Sequence, residues 1–326
     1  MTRRRFSNAG AMLGALALAA CAATTALAQG SAPPPAGARP PAAGTPPIQQ
    51  PVRPPTARGP ALQPTTQPPA AEAPAAPALP TEQAAQAPRR FGGYLGPDRL
   101  PDDALFLPPP PTRESPLGVA DVAIFQATRA LEGGPRWSLA TSDDKIDRRS
   151  LLADFGCALG IDLAARETPA ITRVLQRSNA DLFALVGNAK DRYQRPRPFL
   201  TEQGATCIVP SEDFAKSGSY PSGHAAGGWL YALVLAEIDP ANSAAIMARG
   251  RAFGESRVVC GVHYASDIEG GRLTAETIIA TLHGMAEFQV DILAARTELA
   301  ELRVAPPPKS DGTVCAAERA QLVKPY

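Results

Sequence analysis

Twenty-five of the chain's 36 prolines fall between Ser31 and Pro116. Proline lacks a backbone N–H and has a fixed φ, so helix interiors and sheet ladders exclude it. From Gln29 to about Arg90 the remaining residues are mostly Ala, Gln and Thr, with few large apolar side chains. Such a tract buries too little surface to offset its ordering entropy. A disordered or polyproline-like tether is therefore expected over 29–100. Roughly the C-terminal two thirds of the 326 residues is left to fold.

The residues before this tract read as an address. "TRRRF" supplies a positive start, "AMLGALALAA" a short apolar run, and "ALA" before Gln29 an A-x-A cleavage site. The run is too short for a stable transmembrane helix. A signal peptide over 1–28 and a periplasmic or otherwise exported protein are expected. Arg3 and Arg4 followed by Phe6 are similar to a twin-arginine signal. "LAAC", ending at Cys21, is similar to a lipoprotein cleavage box, so a lipid anchor at Cys21 is the alternative to a soluble mature form.

The formal charge is +1, and removing residues 1–28 takes away Arg3, Arg4 and Arg5 and no acid. A nearly neutral chain gives no reason to invoke nucleic acid or an anionic membrane surface. Cys157, Cys207, Cys260 and Cys315 remain after cleavage. An even number in an exported chain predicts two disulfides, with three connectivities open. No C-x-x-C pair is present, which argues against a zinc or redox site.

Past "FLPPPP" nearly every segment carries helical periodicity. "LGVADVAIFQATRALEG", "RRSLLADFGCALGI", "TPAITRVLQRSNADLFALVGNAKDRY", "GHAAGGWLYALVLAEI", "ANSAAIMARGRAFGESRVV", "SDIEGGRLTAETIIATLHGM" and "AEFQVDILAARTELAEL" follow one another. Stop signals separate them at Gly133-Gly134, "RPRP", "IDPAN" and Gly261. No pair of alternating β-branched runs is joined by a hairpin turn. The expectation is one all-α domain over 101–305, large enough for a sizeable core, followed by a C-terminal tail over 306–326.

Three clusters combine rare polar residues with backbone breakers. In "KDRYQRPRP", Lys190 to Pro198, basic residues alone would mark a solvated helix end. Pro196 and Pro198, however, hold the chain extended around Arg197 and restrict where its guanidinium points. In "GSYPSGHAAGGW", Ser219 suits a helix cap and Pro221 a first turn. The N–H groups of Ser222, Gly223 and His224 would then project from a helix N-terminus as an anion site, and Gly223 would allow close approach. In "SRVVCGVHYASD", His263 and Asp267 are four apart, so on one helical turn the carboxylate accepts an imidazole N–H. That leaves the other ring nitrogen free as a nucleophile. A break at Gly261 would bring Arg257 and His263 to one pocket.

Together these clusters offer Lys190, Arg197 and Arg257 as cations, helix-start amides as donors, two histidines and an aspartate. Phosphoryl transfer needs this set: charge neutralisation, an in-line nucleophile and an acid for the leaving group. Metal-ligand spacing is missing from these motifs.

The ordered pattern K-x6-RP, PSGH and SR-x5-H-x3-D resembles that of the type-2 phosphatidic acid phosphatase superfamily, shared with vanadium haloperoxidases. "GSYPSGH", "LVLAEIDPAN" and "SRVVCGVHYASD" are most similar to the bacterial class A nonspecific acid phosphatases. The likeness runs from about Leu107 to near Glu301 and leaves out the Pro/Ala tether. It implies a helical, exported, metal-independent and cofactor-free acid phosphatase, commonly homodimeric, acting on soluble phosphomonoesters. His263 would attack phosphorus and form a phosphohistidine, with Asp267 orienting it. His224 would protonate the leaving alkoxide and then activate water. Lys190, Arg197, Ser222, Gly223 and Arg257 would bind the phosphate. One departure is Ala225, where the family pattern leads one to expect threonine. His283 matches no motif and is read as structural.

If both motifs surround one phosphate, Cys207, nine residues beyond Pro198, comes near Cys260, giving Cys207–Cys260 and leaving Cys157–Cys315. Two alternatives accompany the phosphatase reading: a vanadium-dependent haloperoxidase on the same scaffold, and a non-catalytic anion-binding envelope protein. A membrane lipid phosphatase is disfavoured, because the domain has no run of about 20 apolar residues.

Overall fold

Helix boundaries follow the punctuation of the sequence. The computed structural model describes residues 92–304, 311–324 and 326, so the expected signal peptide, Cys21 and nearly all of the expected tether lie outside the described residues. In chain order the helices are α1 Asp103–Phe106, α2 Pro116–Thr128, α3 Pro135–Ser142, α4 Arg148–Asp154, α5 Gly156–Leu159, α6 Pro169–Tyr193 and α7 Pro198–Thr201. They continue with α8 Glu212–Lys216, α9 Gly223–Ile238, α10 Ser243–Val259, α11 Ala265–Leu282, α12 Ala286–Val304 and α13 Gly312–Leu322. Among the described residues there is no β-strand, and no single helix is long and apolar enough to cross a membrane.

Local chemistry explains most ends. Ser115 caps α2 through the Gly118 N–H, with Pro116 in its first turn. Asp147 caps α4 through Arg149 and Ser150. Helix α6 stops at Gln194, in the left-handed region at φ 42°, just before "RPRP". The segment "RRSLLADFGCALGI" is two helices, not one. It breaks at Phe155, which leaves Leu151, Leu152, Phe155 and Leu159 all buried. The short helices α1, α3, α7 and α8 carry too few turns to announce themselves by periodicity.

Helix α9 is the axle of the domain. It is apolar all round, as a helix enclosed on every side must be, and α6, α10, α11 and α12 pack around it. Its contact with α10 is close. A Cβ added to Gly228 would stand 2.3 Å from the Phe253 ring, and one on Gly250 would stand 2.3 Å from Ala232 Cβ. Leu230, Val234 and Leu235 of α9 join Leu182 and Leu185 of α6 and Ile278 and Leu282 of α11 in one apolar cluster.

Residues on both sides of 101–305 are tied to the helices. The fold begins before residue 101: Tyr94 and Leu95 are buried, and their N–H groups donate to Asp181 of α6 at 2.8 and 3.2 Å. The Tyr94 hydroxyl donates to Asp291 of α12 at 2.7 Å. One aromatic anchor holds this stretch despite its proline-rich surroundings. The C-terminal stretch is likewise more than a tail, because α13 is tied back by a Cys157–Cys315 disulfide. A second disulfide joins Cys207 to Cys260 at the end of α10.

Candidate active site

Three interruptions of the helical path converge: α6 into α7, α8 into α9, and α10 into α11. At the last of these Gly261 sits at φ 78°, where a Cβ would meet the Arg129 guanidinium at 2.5 Å and the Ala205 carbonyl at 2.8 Å. A residue with a side chain would be strained and blocked there. The reversal carries His263 back beneath the start of α9.

His263 is buried, 1% exposed. Its Nδ1 lies 3.2 Å from Asp267 Oδ2, and its Nε2 lies 3.0 Å from Arg197 Nη1. The hydrogen-bond network assigns the proton to Nδ1 and leaves the Nε2 lone pair facing Arg197. The i,i+4 spacing is realised differently from the helical turn expected. His263 precedes α11, whose first helical residue is Ala265, and Asp267 reaches back from the first turn, where it also accepts the Tyr264 N–H at 2.8 Å. Burial lowers the His263 pKa to about 3, against the opposing pull of its Asp267 hydrogen bond. Burial works to raise Asp267, but the His263 hydrogen bond, Arg195 and Ser219 outweigh it and hold the carboxyl well below the usual range.

Arg197 is fixed from all sides. Its Nε donates to the Ser217 carbonyl at 3.0 Å, Nη1 to the Val262 carbonyl at 3.1 Å and Nη2 to Ser217 Oγ at 2.9 Å. The guanidinium carbon stacks 3.6 Å from the Phe214 ring centroid. Extended backbone at Arg197 between two prolines, φ −76° and ψ 150°, gives the side chain this path. Lys190, in the last turn of α6, donates to the Gly218 carbonyl. Burial, followed by the nearby Arg197 charge, lowers the Lys190 pKa to about 7.

The start of α9 departs from the expectation in one respect. The cap is Ser222, whose Oγ accepts the Ala225 N–H at 3.3 Å, and the helix opens at Gly223. Ser219 lies outside the helix start, where its hydroxyl donates to Asp267 Oδ2 at 2.6 Å and lies 3.3 Å from His263 Nδ1. The Ser222 N–H is also taken, by the Asp267 carbonyl at 3.0 Å. Among the described residues this leaves the Gly223 and His224 N–H groups as the open pair at the helix N-terminus. Ala225 packs against Val258 and Ile268 in a small apolar cluster, where no side-chain hydrogen bond is called for.

His224 and Arg257 meet at a residue that no motif contains, Asp144. His224 Nε2 donates to the Asp144 carbonyl at 3.0 Å, and Arg257 Nη2 lies 2.9 Å from Asp144 Oδ1. The Arg257 contact is an ion pair. Nε, Nη1 and Nη2 of this fully buried arginine make no hydrogen bond among the described residues. Burial, then the Arg257 charge, pushes the His224 pKa well below its ordinary value. The two halves of the site feel each other: Arg257 depresses Arg197, and His263 depresses His224.

Local sequence reasoning missed a supporting network as well. Arg195 Nη1 donates to Asp267 Oδ1 at 2.6 Å, and its Nη2 donates to Asp121 of α2 at 2.9 Å. Asp121 accepts the Ser266 N–H at 2.9 Å. Arg195 lay inside a quoted motif and could have been singled out; Asp121 and Asp144 carried no signal. His283 lies apart, with Nε2 3.0 Å from Glu237 at the surface. Among the described residues, no group of His, Cys, Asp and Glu converges as a metal-ligand set.

The PAP2 superfamily profile matches residues 179–290, which takes in all three clusters. An acid phosphatase of Zymomonas mobilis subsp. mobilis is 42% identical over 203 residues, covering 62% of this chain and 77% of that protein. A non-specific acid phosphatase of Providencia stuartii is 38% identical over 212 residues, covering 64% and 86% respectively. One of Salmonella typhimurium is 33% identical over 208 residues, covering 63% and 83%.

Proposed function

The chain belongs to the non-specific acid phosphatases of the PAP2 superfamily, and we propose that it hydrolyses soluble phosphomonoesters, without a metal, through a phosphohistidine on His263. The carrying observation is the His263 imidazole: buried, protonated toward Asp267, with its Nε2 lone pair on the side of Arg197. A neutral imidazole so oriented is a nucleophile in waiting.

In this reading a phosphoryl group enters among Arg197, Arg257 and Lys190, with two of its oxygens against Ser222 and the Gly223 amide. The His263 Nε2 lone pair forms a bond to phosphorus as the P–O ester bond breaks. His224, protonated on both ring nitrogens once phosphate is bound, gives a proton to the departing alkoxide. His224 then takes a proton from water, the hydroxide attacks phosphorus, and the P–N pair returns to His263 as phosphate leaves. The cations and fixed amides neutralise the charge on the oxygens throughout.

The electrostatics support acid operation. Burial and Arg257 keep His224 deprotonated in the free protein, so it gains the proton it must donate when the negative phosphate offsets those effects. Binding therefore takes up protons and is favoured at acid pH. The two disulfides suit an oxidising compartment, and we place the mature enzyme in the periplasm, released from residues 1–28, with the tether ahead of the domain. The mass of the mature protein distinguishes this soluble form from one lipidated at Cys21, and light scattering tests the homodimer.

The purified protein should hydrolyse an aryl phosphate at mildly acid pH, undiminished by a chelator and inhibited by vanadate. Rapid acid quench should trap labelled phosphate on the enzyme, and His263→Ala should abolish both turnover and label. Loss of activity on chelation, or label persisting in His263→Ala, overturns the reading.

A further inference from the structure

Asp144 lies on the turn between α3 and α4 and touches both halves of the leaving-group side. Its carbonyl holds the His224 Nε2–H at 3.0 Å. Its Oδ1 stands 2.9 Å from Arg257 Nη2 and 3.9 Å from His224 Nε2. A guanidinium presents five N–H donors, and one wholly buried without hydrogen bonds, as Arg257 is, is rare unless a ligand completes it. A carboxylate oxygen beside it has the charge and size of a phosphate oxygen.

The carboxylate is placed so that it can leave. Asp144 is 35% exposed at its side chain, whereas Arg257 is fully enclosed. Its neighbour Asp143 is clamped by Arg249 at 2.6 and 3.2 Å and by the Ser256 hydroxyl at 2.6 Å. Rotation about the Asp144 side-chain torsions can therefore empty the position beside Arg257 while the backbone, and its carbonyl on His224, stay put.

We propose that Asp144 is a specificity-determining residue: its carboxylate is a resident anion that phosphate must displace from Arg257, and once displaced it disfavours leaving groups that carry negative charge. The second part rests on the reading of His224 as the acid for the leaving oxygen. The first atoms of the leaving group then lie beside the His224 ring, whose Nε2 stands 3.9 Å from Asp144 Oδ1. An alcohol or phenol meets little there. The departing phosphate of an inorganic pyrophosphate meets a like charge.

Asp144→Asn and Asp144→Ala test this, since both keep the backbone carbonyl on His224. Inorganic phosphate binding is measured by calorimetry, and kcat/KM is measured for an aryl phosphate and for pyrophosphate. Phosphate should bind about three- to tenfold tighter to both variants, and the pyrophosphate-to-aryl ratio should rise by a similar factor. A merely structural role would weaken binding. Equal or weaker phosphate affinity in both variants overturns the competition, and an unaltered ratio overturns the selection against charged leaving groups. If the wild type binds phosphate but does not turn over aryl phosphate, the catalytic reading fails while the calorimetry still decides the competition at Arg257.

Discussion

Arg249 and Arg257 lie two turns apart on α10, at 1% and 0% exposure, and they are treated in opposite ways. Arg249 is saturated. Asp143 meets it in two parallel contacts, the Asp154 carbonyl accepts from Nε at 3.0 Å, and Asp154 and Glu318 carboxylate oxygens lie at 3.3 Å. Arg257 has one ion pair, to Asp144, against Arg249's full set of partners. Two adjacent aspartates, Asp143 and Asp144, face the two arginines. In the proposed reading, the difference separates a charge buried for the sake of the fold from one buried for the sake of a ligand. The first is costly to remove, and the second is costly to keep.

The strongest way to break this comparison is to remove each charge in turn. Arg257→Met should cost roughly 10²- to 10³-fold in kcat/KM yet leave the melting temperature unchanged or raised. Arg249→Met strands three carboxylates and should destabilise by about 3–5 kcal/mol, with activity largely retained below the melting transition. Chemical denaturation and aryl phosphate kinetics on both variants check the pair. Equal destabilisation by the two substitutions would erase the distinction.

The covalent tie at the Arg249 end gives a smaller effect of the same kind. Replacing Cys157 and Cys315 together by Ser should cost about 2–4 kcal/mol while leaving KM near the wild-type value, because Glu318 and α13 support Arg249 and not the phosphate seat. A large rise in KM would mean that the two ends of α10 are coupled.

Acid pH should act on the two ends with opposite sign. At the Arg249 end burial raises the Asp154 pKa to about 7 against the pull of Arg249. Its contribution is then present in full below the unfolded carboxyl pKa, near 4, and lost as pH rises through about 7. At the site His263 is lowered to about 3, so the unfolded chain binds the extra proton and stability falls as pH drops below about 6.5. Denaturation curves from pH 4 to 8 should show Asp154→Asn removing the loss that builds up between about pH 4 and 7, and saturating phosphate relieving the acid loss by on the order of 1–3 kcal/mol.

The smallest effect belongs to Ser222→Ala, which removes the α9 cap and should cost about 1 kcal/mol, with a modest rise in KM. An unchanged stability would mean that the Ser222 Oγ contact at 3.3 Å does little for the helix.

The long helices were legible because periodicity and stop residues are local: α6, α9, α10, α11 and α12 all lie where apolar spacing and the breaks at "RPRP", "IDPAN" and Gly261 set them. The candidate site residues could be singled out for the same reason, since His224, His263, Asp267, Lys190, Arg197 and Arg257 sit in short motifs of rare residue types, and the structure brings them together. The cap at α9 was misassigned because Ser219 and Ser222 are equivalent in isolation; only the Asp267 carboxylate, 48 positions from Ser219, decides between them.

By itself, then, the sequence determined an all-helical domain behind a proline-rich segment and the short motifs that hold the candidate site residues. Tertiary structure alone decided that Tyr94 is anchored in the fold, that α13 is tied back to it, and that Asp144 stands beside Arg257 with Arg195 and Asp121 behind Asp267. The reason is physical. Burial and charge pairing join residues 70 to 200 positions apart, and contacts of that range leave no period, spacing or cap in the local sequence to read.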